Sequence, residues 1–309
     1  MSAARVFLVS GATGLVGSRL VAQLLADGLV VRALTRDLKA ASGRLDPRAL
    51  LVRWDGSRVP VDAVHGAEAV VHLAGEPIFG GRLTTARKRR IYDSRIESTR
   101  STVKAISALP EASRPRVLIC AGAVGYYGSR GDEELPEEAA AGEGFLADVC
   151  RDWESAALEA EEFGVRSIAL RMGVVIAREG GALPALALPF RFGLGGRLGD
   201  GRQWFPWIHA EDLVALIFAA AREPGYRGPI NAVAPEPVRN RDLTRVVAAE
   251  LRRPALLPVP GFVLRLALGE LAEELLGSRR VVPRHARAQG FEFRHHSIES
   301  AIAAELGGA

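Results

Sequence analysis

The chain has 309 residues, 48% of them hydrophobic, and its 40 Lys and Arg against 36 Asp and Glu leave a formal net charge of +4. That composition suits a folded protein with room for one large domain and a smaller one, and it excludes disordered and fibrous classes. No apolar run approaches the roughly 18 residues of a membrane span, no signal-peptide pattern opens the chain, and two cysteines, Cys120 and Cys150, are too few for a disulfide scaffold or a structural zinc site.

The first predicted unit spans residues 5 to 37. Val6 to Val9 form a short apolar run that reads as a strand buried on both faces. Gly11, Gly14 and Gly17 follow at a spacing of three. In a strand-turn-helix unit the first permits the sharp turn, the second lets backbone amides approach a pyrophosphate, and the third lets helix pack on strand. Thr13 and Leu15 belong to the same turn, and the helix beginning there directs its positive end at the anion. Gly28 ends the helix, and Val30 to Leu34 make a second strand. Strand, glycine turn, helix and second strand together predict a dinucleotide site. The tip of the second strand carries Thr35-Arg36 where a ribose-binding carboxylate would otherwise stand, so NADP(H) is expected over NAD(H). Asp37 reaching back to the ribose is the competing reading.

Ala49 to Arg53 and Ala69 to Leu73 read as the third and fourth strands. Asp55 stands where it could touch an adenine amine, or equally cap an exposed turn. After the fourth strand, Leu73, Ala74 and Gly75 are small or apolar enough to let backbone lie against a cofactor, while His72 reads as a core histidine satisfied by its neighbours. Residues 84 to 108 form a long helical pattern that contains the basic cluster Arg87-Lys88-Arg89-Arg90, with Arg95 and Arg100 downstream. Aromatic interleaving is thin and helical spacing spreads the charges, so the cluster is read as a solvated face, and no nucleic-acid partner is expected.

Val117 to Cys120 is a fifth strand opening onto a glycine-rich turn with Gly122, Tyr126 and Tyr127, beside the expected nicotinamide. A helix from Leu146 to Phe163 and a sixth strand from Arg166 to Arg171 complete an unbroken strand-helix alternation, which predicts a doubly wound parallel α/β sheet. From Gly180 onward glycine and proline break the periodicity, up to an aromatic stretch in which Trp204, Trp207 and His209 are candidates for a substrate-pocket wall. Residues 1–175 with about 208–233 are assigned to the dinucleotide-binding domain. About 176–207 and 234–309 are assigned to a small, mostly helical substrate-side domain.

The segments GATGLVG, HLAGEPI, GYYG, CRDWE, FRFGLGGRLGDGRQWFPWIH and NAVAPEPVRN resemble those of the extended short-chain dehydrogenase/reductase superfamily, in its epimerase-family subgroup with a C-terminal domain of unknown function. The resemblance covers essentially the whole chain and implies a Rossmann-type fold, NADP(H) binding and an oxidoreductase or isomerase activity. It also implies a Ser, Tyr and Lys catalytic set that this chain lacks. No Tyr-x-x-x-Lys occurs, since Ile96, Arg130, Gly131 and Ile230 follow Tyr92, Tyr126, Tyr127 and Tyr226 at that spacing. Aligning Glu154 with the glutamate that commonly follows the pair places Leu146 and Cys150 at the two catalytic positions. Gly122 stands where close relatives have Ser.

The expected function is an NADP(H)-dependent oxidoreductase or epimerase-like enzyme, cytoplasmic, monomeric or homodimeric, acting on a small carbonyl, hydroxyl or sugar-like molecule with a replaced proton donor. Tyr126 and Tyr127 are the first candidates for that donor, with Cys150, Glu154 and His209 behind them. The competing expectation is a non-catalytic NADP(H)-binding protein whose bound state is recognised by a partner.

Overall fold

A computed structural model describes residues 5–307. Seven strands form the central sheet: β1 (Val6–Ser10), β2 (Val30–Thr35), β3 (Leu50–Arg53), β4 (Ala69–His72), β5 (Val117–Ala123), β6 (Arg166–Met172) and β7 (Gly228–Ala232). Their spatial order is β7-β6-β5-β4-β1-β2-β3, and every pairing is parallel. The order reverses between β1 and β4, so a crevice opens there at the carboxyl ends of the strands.

The near-continuous apolar strands follow from burial on both faces. Phe7, Val9, Val71, Ile119 and Ile168 point to one side, where α1 (Leu15–Ala26) and α4 (Ala210–Arg222) cover them with Leu20, Leu24, Leu213 and Ile217. Leu8, Val70 and Leu118 point to the other and meet Val103 and Ile106 of α2 (Thr85–Ser107). On that second side α3 (Phe145–Leu158) packs Val149 and Trp153 against Ile91 and Ile96 of α2. The period-two alternation along each strand thus sorts one run of residues into two cores.

Two expected boundaries shift by more than one residue. The predicted helix to Phe163 is α-helical only to Leu158 and finishes as a 3₁₀ turn over Glu159–Phe163, which ends at Gly164 in the left-handed conformation. The fifth strand continues past Cys120 to Ala123, because β6 pairs with it through Met172.

The carboxyl-terminal region is largely helical and includes α5 (Asn240–Glu250), α6 (Gly261–Leu268) and α7 (Ile298–Leu306). Three small sheets lie outside the central one, and the last two of them tie the carboxyl-terminal part of the chain to the rest. Trp207–His209 pairs with Val174–Ala177, Trp204–Phe205 with Val238–Arg239, and Glu134–Leu135, in the loop after β5, with Arg280–Val281. The side-chain amide of Asn231 fastens the last of these by donating to the carbonyls of Leu135 and Val282.

Candidate functional site

β1 delivers the chain to the switch point, where Gly11 turns it with φ +66°. A Cβ at Gly11 would lie 2.8 Å from the carbonyl carbon of Leu73, and one at Gly17 would lie 2.2 Å from the Gly11 oxygen. Both positions therefore exclude any side chain. Gly14 is the N-cap of α1, contributes no capping side chain, and is followed by a first turn without acidic residues. The amides at that helix end, unpartnered within the helix, are available to an anion beside a cavity of about 410 Å³.

Gly11, Thr13, Gly14, Thr35, Arg36, Leu73, Ala74 and Gly75 line this cavity, together with Asp37, Arg44 and Trp54. Leu15 is outside the lining and packs on the hairpin at Gly180 and Gly181. Asp55 is outside it as well. Its carboxylate accepts from the amides of Ser57 and Arg58 at 2.7 and 2.9 Å and from the Ser57 hydroxyl. Those hydrogen bonds, the Ser57 amide first, hold it below the usual carboxylate range. Asp55 shapes a turn rather than reaching the adenine position.

At the tip of β2 the Thr35 hydroxyl accepts the Asp37 amide, and the Asp37 carboxylate accepts the Ala40 amide at 3.0 Å, capping the short helix Leu38–Ser42. The acid is thus turned into its own helix. Arg36 and Arg44 are exposed at the cavity and, among the described residues, neither guanidinium has a carboxylate partner. Arg48 nearby, by contrast, is paired with Asp46 at 2.8 Å. A glycine cradle too tight for side chains, an open helix end and two unpaired guanidiniums suit a dinucleotide with an additional phosphate. Arg44 has no motif in the sequence, since seven residues, a short helix among them, separate it from Arg36.

The candidates beyond β5 divide sharply. Tyr127 is fully buried, and its hydroxyl lies 2.7 Å from Asn231 Oδ1 while accepting from Arg171 Nη1 at 2.8 Å. Burial pushes this phenol up to about 12. Arg171 forms a bidentate pair with Glu154 at 2.8 and 2.9 Å, both residues being buried. Burial raises the Glu154 carboxyl, against the hydrogen bonds and charge of Arg171. Tyr127 and Glu154 accordingly belong to a closed internal network, not to a surface that meets substrate. The Cys150 thiol is buried and pushed up to about 12, which leaves it protonated and unreactive.

Tyr126 differs from its neighbour. Its half-buried ring lies on the Arg171 guanidinium, 3.5 Å from Cζ to centroid, and its hydroxyl has no hydrogen-bond partner among the described residues. Gly122 is buried in β5, where a Cβ would lie 2.9 Å from the Leu170 oxygen, so a Ser there requires the strands to shift.

The expected aromatic wall is largely internal. Trp207 is 1% exposed and packs with Ile176, Leu183 and Phe190, so it is core rather than pocket lining. His209 is equally buried, with Nε2 at 2.8 Å from Glu305 and Nδ1 accepting the Glu211 amide at the start of α4. It is a helix cap, with both ring nitrogens engaged inside the fold. Trp204 is half-buried, donates to Asp132 at 2.8 Å and carries the Arg239 guanidinium 4.3 Å from its ring.

The basic cluster is also structural. Arg87 is buried and donates to the carbonyls of Pro77, Ile78 and Gly80, Lys88 pairs with Glu270, and Arg89 with Asp93. Sequence reading missed two further groups near Gly125. Glu274 Oε2 would lie 3.8 Å from a Cβ at Gly125, and Arg279, 5% exposed, holds Glu274 at 2.9 Å. Their separation of about 150 residues from Gly125 left no local pattern to read.

Residues 7–232 match the NAD dependent epimerase/dehydratase family, and residues 259–305 match a domain of unknown function. The chain is 41% identical over 298 residues to an epimerase family protein of Arabidopsis thaliana, the chloroplastic SDR39U1 homolog, covering 96% of this chain and 85% of the relative. It is 35% identical over 296 residues to the epimerase family protein YfhF of Bacillus subtilis, covering 95% of each. Among solved structures, the human epimerase family protein SDR39U1 (isoform 2) with NADPH superposes with a TM-score of 0.85 at 30% identity, covering 98% of this chain and all of that one. With its seven parallel strands, glycine cradle and matched residues 7–232, the chain belongs to the NAD-dependent epimerase/dehydratase family and has that family's NAD(P)-binding fold.

Proposed function

We propose that the chain is an NADP(H)-dependent oxidoreductase or epimerase-like enzyme that acts on a small carbonyl, hydroxyl or sugar-like molecule without the Ser-Tyr-Lys set. We further propose that it works in the cytoplasm as a monomer or homodimer. The observation carrying the reading is the pair Arg36 and Arg44, without carboxylate partners among the described residues and set beside a glycine cradle, with the Asp37 acid on the same lining engaged in capping its own short helix. The NADPH in the human relative's structure supports it.

When bound, the nicotinamide would supply a hydride or accept one. The residues of this chain do the rest. The amides around Gly11 and Gly14 hold the pyrophosphate, Arg36, Arg44 and Thr35 hold the 2′-phosphate, and the backbone of Leu73, Ala74 and Gly75 forms the opposite wall. Tyr126 supplies the proton at its free hydroxyl, a role that Tyr127, Cys150 and Glu154 cannot take while buried and engaged.

A second reading, a non-catalytic NADP(H)-binding protein, is favoured by one observation. Leu146 and the protonated Cys150 thiol occupy the helix where the superfamily's donor pair would stand. Calorimetric titration with NADPH, NADH, NADP+ and NAD+, followed by NADPH oxidation against a panel of carbonyls and nucleotide sugars, tests both readings. Tight NADPH binding with turnover that Tyr126→Phe abolishes supports the enzyme. Binding without turnover favours the regulatory reading, and absence of any dinucleotide binding overturns both.

A further inference from the structure

Two guanidiniums are buried behind the carboxyl ends of the strands, and they are treated oppositely. Arg171 meets Glu154 through two hydrogen bonds. Arg95, on α2, is 8% exposed and has no carboxylate within ion-pair distance among the described residues. Among the described residues only Nη1 is engaged, with the Ile91 carbonyl at 3.2 Å and the Ser94 hydroxyl at 3.4 Å, while Nε and Nη2 have no acceptor. The Trp153 ring lies 5.1 Å from Cζ, and the Glu76 carboxylate on the cavity wall attracts the guanidinium from beyond ion-pair distance. A buried cation without a paired anion is costly, and Arg87, equally buried on this helix, is met by three carbonyls where Arg95 is not.

The direction in which it faces is fixed by its neighbours. A Cβ at Gly75 would lie 3.3 Å from Arg95 Cζ and 3.4 Å from Nη2, and the Gly75 backbone and Ser94 both line the dinucleotide cavity. The Cys150 thiol is near enough to interact with the guanidinium, and both it and Glu274 approach the position of a Cβ at Gly125, at 3.6 and 3.8 Å. Arg95 therefore stands between the cofactor wall and the turn after β5. The cofactor's own phosphates have other receptors, the open end of α1 for the pyrophosphate and Arg36 with Arg44 for the third phosphate.

Resting on the NADP(H)-enzyme reading, we propose that Arg95 receives an anionic group of the substrate, a carboxylate or a phosphate, and so selects acidic substrates. The guanidinium fork offers paired donors that match either group. Burial at the cofactor wall makes the contact strong and its loss easy to detect.

Wild type and Arg95→Met are titrated with inorganic phosphate and with malonate, each with and without saturating NADPH and at matched ionic strength set with sodium chloride. Thermal stabilisation and nicotinamide fluorescence are the readouts. Saturable anion binding by wild type, weakened about 10- to 100-fold in Arg95→Met with NADPH affinity unchanged, is expected. The ligand-free variant should melt no lower than wild type, because an unpaired buried charge has been removed. Arg95→Lys, which retains charge but not the fork, should fall between the two, and it replaces the Met variant if that fails to fold. No saturable anion binding in wild type, or equal binding in the variants, overturns the assignment. An equal loss of NADPH affinity also overturns it, since the guanidinium then serves the cofactor. If wild type binds no dinucleotide, the enzyme reading falls while the titration without NADPH still decides Arg95.

Discussion

The Nδ1 of His72, the last residue of β4, lies 2.8 Å from the hydroxyl oxygen of Ser10, the last residue of β1. On its other side Nε2 lies 2.9 Å from Ser98, whose hydroxyl donates to the Ser94 carbonyl. Ser98 can therefore only accept from the imidazole, so Nε2 carries the proton and Nδ1 accepts from Ser10, which in turn accepts the Ala74 amide. The neutral ring thus connects the cofactor wall to α2, in line with the core role read from sequence.

Burial holds His72 down to about 4, against an ordinary 6.5. The folded state thus resists a proton that the unfolded chain accepts below 6.5. Stability is complete above that pH and is lost as pH falls from 6.5 to about 4, by about 3 kcal/mol for this group. Denaturant unfolding between pH 4 and 8 should show this slope, and His72→Gln should flatten it. Parallel curves for the two proteins would sink the assignment.

On the proposed NADP(H) reading, Arg36→Ala and Arg44→Ala should each weaken NADPH binding by about 10- to 100-fold and leave NADH binding nearly unchanged, because each would remove charge-assisted contacts to the extra phosphate alone. Equal losses for both cofactors would move these arginines away from that phosphate.

Breaking the internal pair is expected to be severe. Glu154→Ala leaves Arg171 buried without its carboxylate and should cost about 3–5 kcal/mol, whereas the double replacement Glu154→Leu with Arg171→Met should recover much of that loss. A double-mutant cycle read by urea unfolding decides it, and additive losses would contradict the coupling.

Both cysteines should resist alkylation in the native protein at pH 8, since burial pushes each thiol up to about 12. Mass spectrometry after iodoacetamide should find both modified only when denaturant is present. Rapid native labelling of Cys150 would reopen its case as a nucleophile.

The cofactor half was legible because its constraints are local. Gly11 and Gly17 must be glycine for contacts made within one strand-turn-helix unit, so their spacing survives in the sequence. The substrate half is assembled from distant segments. Tyr126 and Tyr127 are adjacent and chemically identical in sequence, yet Asn231, more than one hundred residues on, claims only the second. Trp207 and His209 imitate a pocket wall until Glu305 and the α7 side of the core enclose them. Arg95 was hidden among the arginines of the same helix, because burial with two nitrogens left without acceptors is a property of three-dimensional surroundings.

The parallel pairing of Glu134–Leu135 with Arg280–Val281 has a consequence for how this chain can be cut. Sequence similarity divides at residue 232, which invites trimming the protein to its epimerase-like part. A break there would strip the loop after β5 of its second strand and leave the Asn231 amide without the Val282 carbonyl. The segment matched over 259–305 thus completes the loop after β5, and the two matched parts share one hydrogen-bonded seam.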